Sequence, residues 1–186
     1  MASPKSRKEV LIDQLVAVFR ARGYEGATLT QLAKATGLGK ASLYHHFPGG
    51  KAEMASVLLR HAVAELQQKA FRHLTTKRDP LVRITNFIAG FDDYAEQGNT
   101  HCLVAVLAQG SAAETHGSHI AQQFQDWQAS IAQVFEESGM KPKKAKRAAA
   151  SLLSELYGSL LLAKLNNDPS VFQRAVKRLT KTYSAQ

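Results

Sequence analysis

TLTQLAKATGLGKASLYHHFPGGK, residues 28–51, holds two short helical patterns separated by a glycine. Thr28 and Gln31 have capping-box spacing, in which a threonine hydroxyl and a glutamine side chain satisfy free amides at a helix start. Leu29, Leu32 and Ala33 then point inward until Gly37, which suits a left-handed turn. A second helix is expected from about Gly39 to His46, anchored by Leu43 and Phe47, four residues apart. Its other positions, Lys40, Ala41, Ser42, Tyr44 and His45, are small, basic or aromatic. Such a face is not made for burial and implies a partner.

The bulk composition suggests what that partner is. The 186 residues carry a formal net charge of +9, with 45% hydrophobic and 21% charged residues. This is an ordinary globular composition with a polyanion-seeking balance. Residues 1–60 hold nine Lys or Arg against four Asp or Glu, so the positive density is highest beside the motif. Cys102 is the single cysteine, which excludes an intrachain disulfide framework and fits a reducing compartment. The charged start MASPKSRKEV does not read as a signal peptide, and no stretch approaches the ~18 apolar residues of a membrane span. A soluble cytoplasmic protein with no membrane partner is expected.

Outward from the motif, helical periodicity continues and no strand pattern persists. Ser6 and Glu9 form another capping-box pair, opening a helix with Ile12, Leu15, Val16 and Phe19 on one face and Gly23 at its end. After the motif a helix is expected from about Lys51 to Phe71. Asp79-Pro80 marks a turn or helix start, followed by Leu81, Ile84, Ile88 and Phe91 at helical spacing. Residues 101–109 are short and apolar, and residues 110–117 read as a loop. Ile120, Phe124, Trp127, Ile131 and Phe135 mark the next helix. Pro142–Leu165 is a long pattern rich in Ala and Leu, and Asp168-Pro169 opens the last helix. The expectation is an all-α fold of about nine helices, with residues 1–51 as one domain and 52–186 as another.

Two short helices joined by a glycine turn make a helix-turn-helix, whose second helix fits the major groove of DNA. In that reading Lys40 meets guanine edges or a phosphate, Ser42 donates to either, and Ala41 touches a thymine methyl. Tyr44 and His45 bond phosphate oxygens. Thr28, at a helix start, and Lys51, at the next, act as phosphate clamps. The competing reading is a surface hairpin with incidental polarity on a helical small-molecule carrier or enzyme.

The residues support something sharper. Thr28-Leu29, Leu32-Ala33, Ala35-Thr36-Gly37-Leu38 and Ser42-Leu43-Tyr44-His45-His46-Phe47 with a following lysine resemble the DNA-binding domain of TetR-family transcriptional regulators. The ending His-His-Phe-Pro-Gly-Gly-Lys is similar to the branch that includes LmrA- and YxaF-type repressors, with a turn one residue longer than the common form. Gly39 departs from the pattern, since many members have serine there as a cap. The resemblance implies a non-enzymatic repressor that binds a palindromic double-stranded operator as a homodimer and is released by a small-molecule effector. It also places a dimer interface on the last two helices, here assigned to Leu152, Leu156, Leu160, Phe172, Val176 and Leu179.

An apolar effector pocket is expected from Phe87, Phe91, Cys102, Val106, Phe124, Trp127, Ile131 and Tyr157, and its aromatic content favours a lipophilic or aromatic effector. Other chemistry is thin. His101-Cys102 lacks an activating signature and reads as an inert thiol. His116, His119 and Glu114 fall short of a metal site, and no cofactor is implied. The run Lys141, Lys143, Lys144, Lys146 and Arg147 reads as a solvated face.

Overall fold

A computed structural model describes residues 6–184. Among them are nine α-helices: α1 (Arg7–Gly26), α2 (Leu29–Thr36), α3 (Lys40–His46), α4 (Gly50–Lys69), α5 (Pro80–Tyr94), α6 (Leu103–Leu107), α7 (Ala112–Glu137), α8 (Pro142–Leu165) and α9 (Ser170–Tyr183). Two 3-10 turns, Phe71–Thr75 and Glu96–Gly98, accompany them, and no strand occurs among the described residues. The all-α expectation holds.

Two compact units divide the chain. The first comprises the described residues up to Val63 with Cys102–Ile120; the second comprises Ala64–His101 with the described residues from Ala121 onward. This partition differs from a cut at residue 51, because α6 returns to pack on α1 within the first unit. In that unit Leu11, Leu15 and Phe19 of α1, Leu32 of α2, Leu43 of α3, Met54 and Leu58 of α4, and Leu103, Val104 and Leu107 of α6 are buried. The core of the second unit is Phe87, Ile88 and Phe91 of α5 with Phe135, Leu152, Leu156 and Phe172. Arg83 lies nearly buried there, and its guanidinium donates to the Glu137 carboxylate at 2.6 Å.

The helix starts follow the sequence. Ser6 and Thr28 both form complete capping boxes, with Glu9 and Gln31 respectively. The Asp79 carboxylate accepts from the Leu81 and Val82 amides at 2.9 and 3.3 Å, with Pro80 in the first turn. Asp168 accepts from the Ser170 amide at 2.9 Å.

Three expectations need correction. Residues 112–117 are the first turns of α7 rather than loop. Glu114 complements the helix N-terminus, and Gly117 is absorbed into a 26-residue helix at a cost of about 1 kcal/mol. The helix after the motif stops at Lys69, and Phe71 belongs to a separate 3-10 turn. Finally, α8 contains a window long and apolar enough to cross a membrane by length and composition. Leu152, Leu156 and Leu160 are nonetheless buried inside the second unit, where α8 packs along α9.

Candidate nucleic-acid interface

Recognition-helix geometry begins at Thr28. Its hydroxyl accepts from the Gln31 amide at 3.3 Å, while the Gln31 side chain accepts from the Thr28 amide at 3.2 Å. Nine residues later Gly37 adopts φ 68°, ψ 9° and ends α2. That left-handed conformation penalises any residue with a Cβ, so the turn between α2 and α3 depends on this glycine. α3 then runs for seven residues, with Gly39 at its N-cap and no side-chain cap.

One residue of α3 is buried, Leu43, and Phe47 just beyond is 7% exposed. Lys40, Ala41, Ser42, Tyr44, His45 and His46 are all exposed, as is Thr28. The structure thus brings the expected α3 residues onto the solvent side of one short helix. Tyr44 is held against the following turn: a Cβ on Gly50 would lie 3.4 Å from its ring. Lys51 has a task not foreseen from the sequence. Its ammonium donates to the Tyr24 carbonyl at 2.9 Å and lies 4.4 Å from the centre of the Tyr24 ring. It ties α4 to the end of α1, where a cation complements the free carbonyls, and two of its three donors remain.

A second tie in this unit escaped sequence reasoning. The Glu25 carboxylate, in the last turn of α1, accepts from the Ser111 amide at 2.7 Å and from its hydroxyl at 2.8 Å. Glu25 and Ser111 are 86 residues apart, so no local pattern announces the pair. The two bonds from Ser111, chiefly its amide, hold the Glu25 carboxyl below its ordinary value. A group lowered in this way stabilises above its unfolded pKa of about 4.3 and loses that contribution as pH falls through its folded value. Glu25→Gln is therefore expected to lower the Tm at pH 7, and the gap to the parent should close in acid, below about pH 4. Thermal melts across pH check this; an equal gap at pH 3 and pH 7 would remove the tie.

Comparison with known proteins decides the family. Residues 80–178 match the model for the C-terminal domain of LmrA/YxaF-like transcriptional regulators, and residues 11–57 match that for bacterial regulatory proteins of the tetR family. The chain belongs to the TetR family of transcriptional regulators. It is 26% identical over 174 residues to the HTH-type regulator YxaF of Bacillus subtilis, covering 90% of each chain. With LmrA of the same organism it shares 24% over 160 residues, covering 84% of this chain and 85% of the relative. A TetR regulator from Legionella pneumophila has the same fold, with a TM-score of 0.79 at 18% identity over 97% of this chain and 99% of that one.

In this TetR-family chain the residues expected around an effector separate into two groups. Phe87, Phe91, Phe124, Trp127, Ile131 and Tyr157 lie in the second unit, whereas Cys102 and Val106 lie in the first. Five of the first group share one aromatic cluster. Phe124 is 5.1 Å from both Trp127 and Tyr157, Tyr157 is 5.1 Å from Phe91, and Phe91 is 6.4 Å from Phe87. Phe71, missed from the sequence, stacks on Trp127 at 4.7 Å and 15° and meets Phe87 at 4.9 Å. The three-residue spacing of Phe71 and Leu74, both buried, was the available signal. Trp127 is 2% exposed, and its indole N–H finds no hydrogen-bond partner among the described residues. Ile131 is fully buried.

The residues assigned to a dimer surface lie elsewhere than expected. Leu152, Leu156, Leu160, Phe172 and Leu179 are buried in the protomer's own core, and Val176 is half-buried. Apolar periodicity identifies the face a helix spends on its neighbours, and here those neighbours belong to the same chain. The outer stripe of α8 runs through Ser151, Ser154, Gly158, Leu161, Leu162 and Leu165. Leu161, Leu162 and Leu165 are 54%, 51% and 72% exposed. The lysines and arginine at residues 141–147 are solvated, as expected.

Proposed function

We propose that this regulator is a repressor that acts in the cytoplasm as a homodimer, binds a palindromic operator and leaves it when a small lipophilic or aromatic effector binds. The observation that carries the DNA-binding part is the exposed face of α3, where Lys40, Ser42, Tyr44 and His45 are displayed while Leu43 and Phe47 anchor the helix. Lys40, Ala41 and Ser42 read base edges in this proposal. Thr28, Tyr44, His45 and Lys51 hold phosphates, and residues 1–51 act as the DNA-binding domain.

The dimer is assigned to α8 and α9 through the outer stripe of α8. Its serines and glycine permit close approach, and its three exposed leucines supply apolar area. The buried leucines behind it set the shape of that face. The effector is placed at the aromatic cluster of the second unit. In support, the unpartnered Trp127 N–H is a buried donor that a ligand acceptor would satisfy, and a buried donor left unmade costs about 1–3 kcal/mol. Release requires that the effector prefer a conformation in which the two copies of α3 no longer match successive grooves.

Titration of the purified protein with DNA from upstream of its own gene and with unrelated DNA, at several salt concentrations, tests this reading. Preference for the upstream DNA should persist as salt rises, while overall affinity falls steeply as phosphate contacts release counterions. A dimer with no preference between the two DNAs at any salt would sink it.

A further inference from the structure

The 3-10 turn Phe71–Thr75 places Phe71 and Leu74 in the core, three residues apart as that helix type requires. The same geometry leaves Arg72 exposed and His73 half-buried on the outer side, followed by Thr76 and Arg78. α5 forms the facing wall with Asn86 and comes very close at Gly90, where a Cβ would lie 2.0 Å from the Lys69 carbonyl oxygen. Two overlapping depressions result, of about 460 and 440 Å³, and Arg72, His73 and Asn86 line both. Each is of a size typical for small-molecule sites.

Arg72 and Arg78 flank the smaller depression, and Asp93 lines the larger one beside Lys69 and Arg72. Among the described residues neither Arg72 nor Arg78 has an ion-pair partner. The neighbouring carboxylates are engaged: Asp93 and Glu65 hold the Lys69 ammonium at 3.2 and 3.5 Å, and Asp79 caps α5. Burial first, and Arg72 next, push His73 below its ordinary value; Arg78 adds to this, against a hydrogen bond to the Lys69 backbone. Two guanidiniums without an ion-pair partner beside one concavity are a receptor for negative charge. Two guanidinium forks match the oxygens of a phosphate bidentately, which a monocarboxylate or halide cannot exploit as fully.

We propose that this groove in the second unit is a binding site for a small phosphate-bearing anion, held by Arg72 and Arg78, with the Asn86 amide as a further donor. The site uses none of the residues assigned to the α3 face or to the aromatic cluster. A half-buried histidine lining both depressions fits a compact anion better than the continuous backbone of a duplex.

The experiment is a titration of the full-length protein with pyrophosphate at constant ionic strength, read by NMR at the His73 imidazole, which His73→Gln identifies. A saturable shift is expected, with the His73 pKa raised because bound negative charge favours the imidazolium. Arg72→Ala/Arg78→Ala, both surface changes, should weaken binding at least about tenfold while leaving the ligand-free Tm in place. Three results would overturn the assignment: no saturable shift, an equal response in the double variant, or the same response to acetate. If the double variant loses operator affinity while pyrophosphate leaves His73 unmoved, the groove serves the DNA backbone and the small-anion assignment fails.

Discussion

Exchanging Lys40 and Tyr44 together for alanine is expected to weaken operator binding about 100-fold or more and to leave the fold intact. Neither side chain supports the core: Lys40 is exposed and Tyr44 is 46% exposed. α3 is held instead by Leu43 and Phe47, which the variant keeps. A lost base or phosphate contact removes roughly 1–3 kcal/mol, and in the proposed dimer each substitution acts in both half-sites. Loss of the Lys40 charge from the interface should also flatten the dependence of affinity on salt by about one counterion per copy. Fluorescence anisotropy at several salt concentrations measures both effects, and circular dichroism monitors the fold. Parental affinity in a folded double variant would take both residues off the interface.

Gly90→Ala should be the most damaging single-methyl change in the second unit. A Cβ there would sit 2.0 Å from the Lys69 carbonyl oxygen, 2.7 Å from its carbon and 2.8 Å from Ala70 Cα. All three are backbone atoms, so no flexible side chain can yield. α5 would have to move, and with it Phe87, Ile88 and Phe91, which are fully buried. Overpacking of this kind costs about 3 kcal/mol, or a fall in Tm of roughly 10 °C. Gly117→Ala is the internal control. A Cβ at Gly117 meets only Ala113 Cβ, at an ordinary 3.7 Å, so the helical gain of up to about 1 kcal/mol should appear without strain. A Gly90→Ala protein that melts like its parent would mean that the close crossing of α5 over Lys69 is not as described.

What was legible in the sequence was what neighbours in the chain determine. Ser6 with Glu9, Thr28 with Gln31, and Asp79 with Pro80 each announce a helix start through contacts three residues long or shorter, and all three form. The exposed face of α3 was legible for the same reason, since four-residue spacing sets Leu43 and Phe47 apart from the rest. Partners distant in sequence left no trace. Glu25 meets Ser111, and Lys51 meets the carbonyl of Tyr24, only once the chain has turned back on itself. Apolar periodicity also misled in one respect. It marked Leu152, Leu156 and Leu160 as important without telling whether the neighbour is the same chain or another, and the structure gives them to the same chain.

α1 and α2 each begin with a reciprocal pair of side-chain bonds, but α3 begins with a glycine that has none to offer. Seven residues are too few to sustain a helix on their own, so α3 depends on Leu43 and Phe47 for its order. The segment proposed to read DNA thus owes its order to two anchors in the core rather than to its length or its caps. In the proposed complex, part of the operator's affinity would go into ordering a helix that its own ends do not hold.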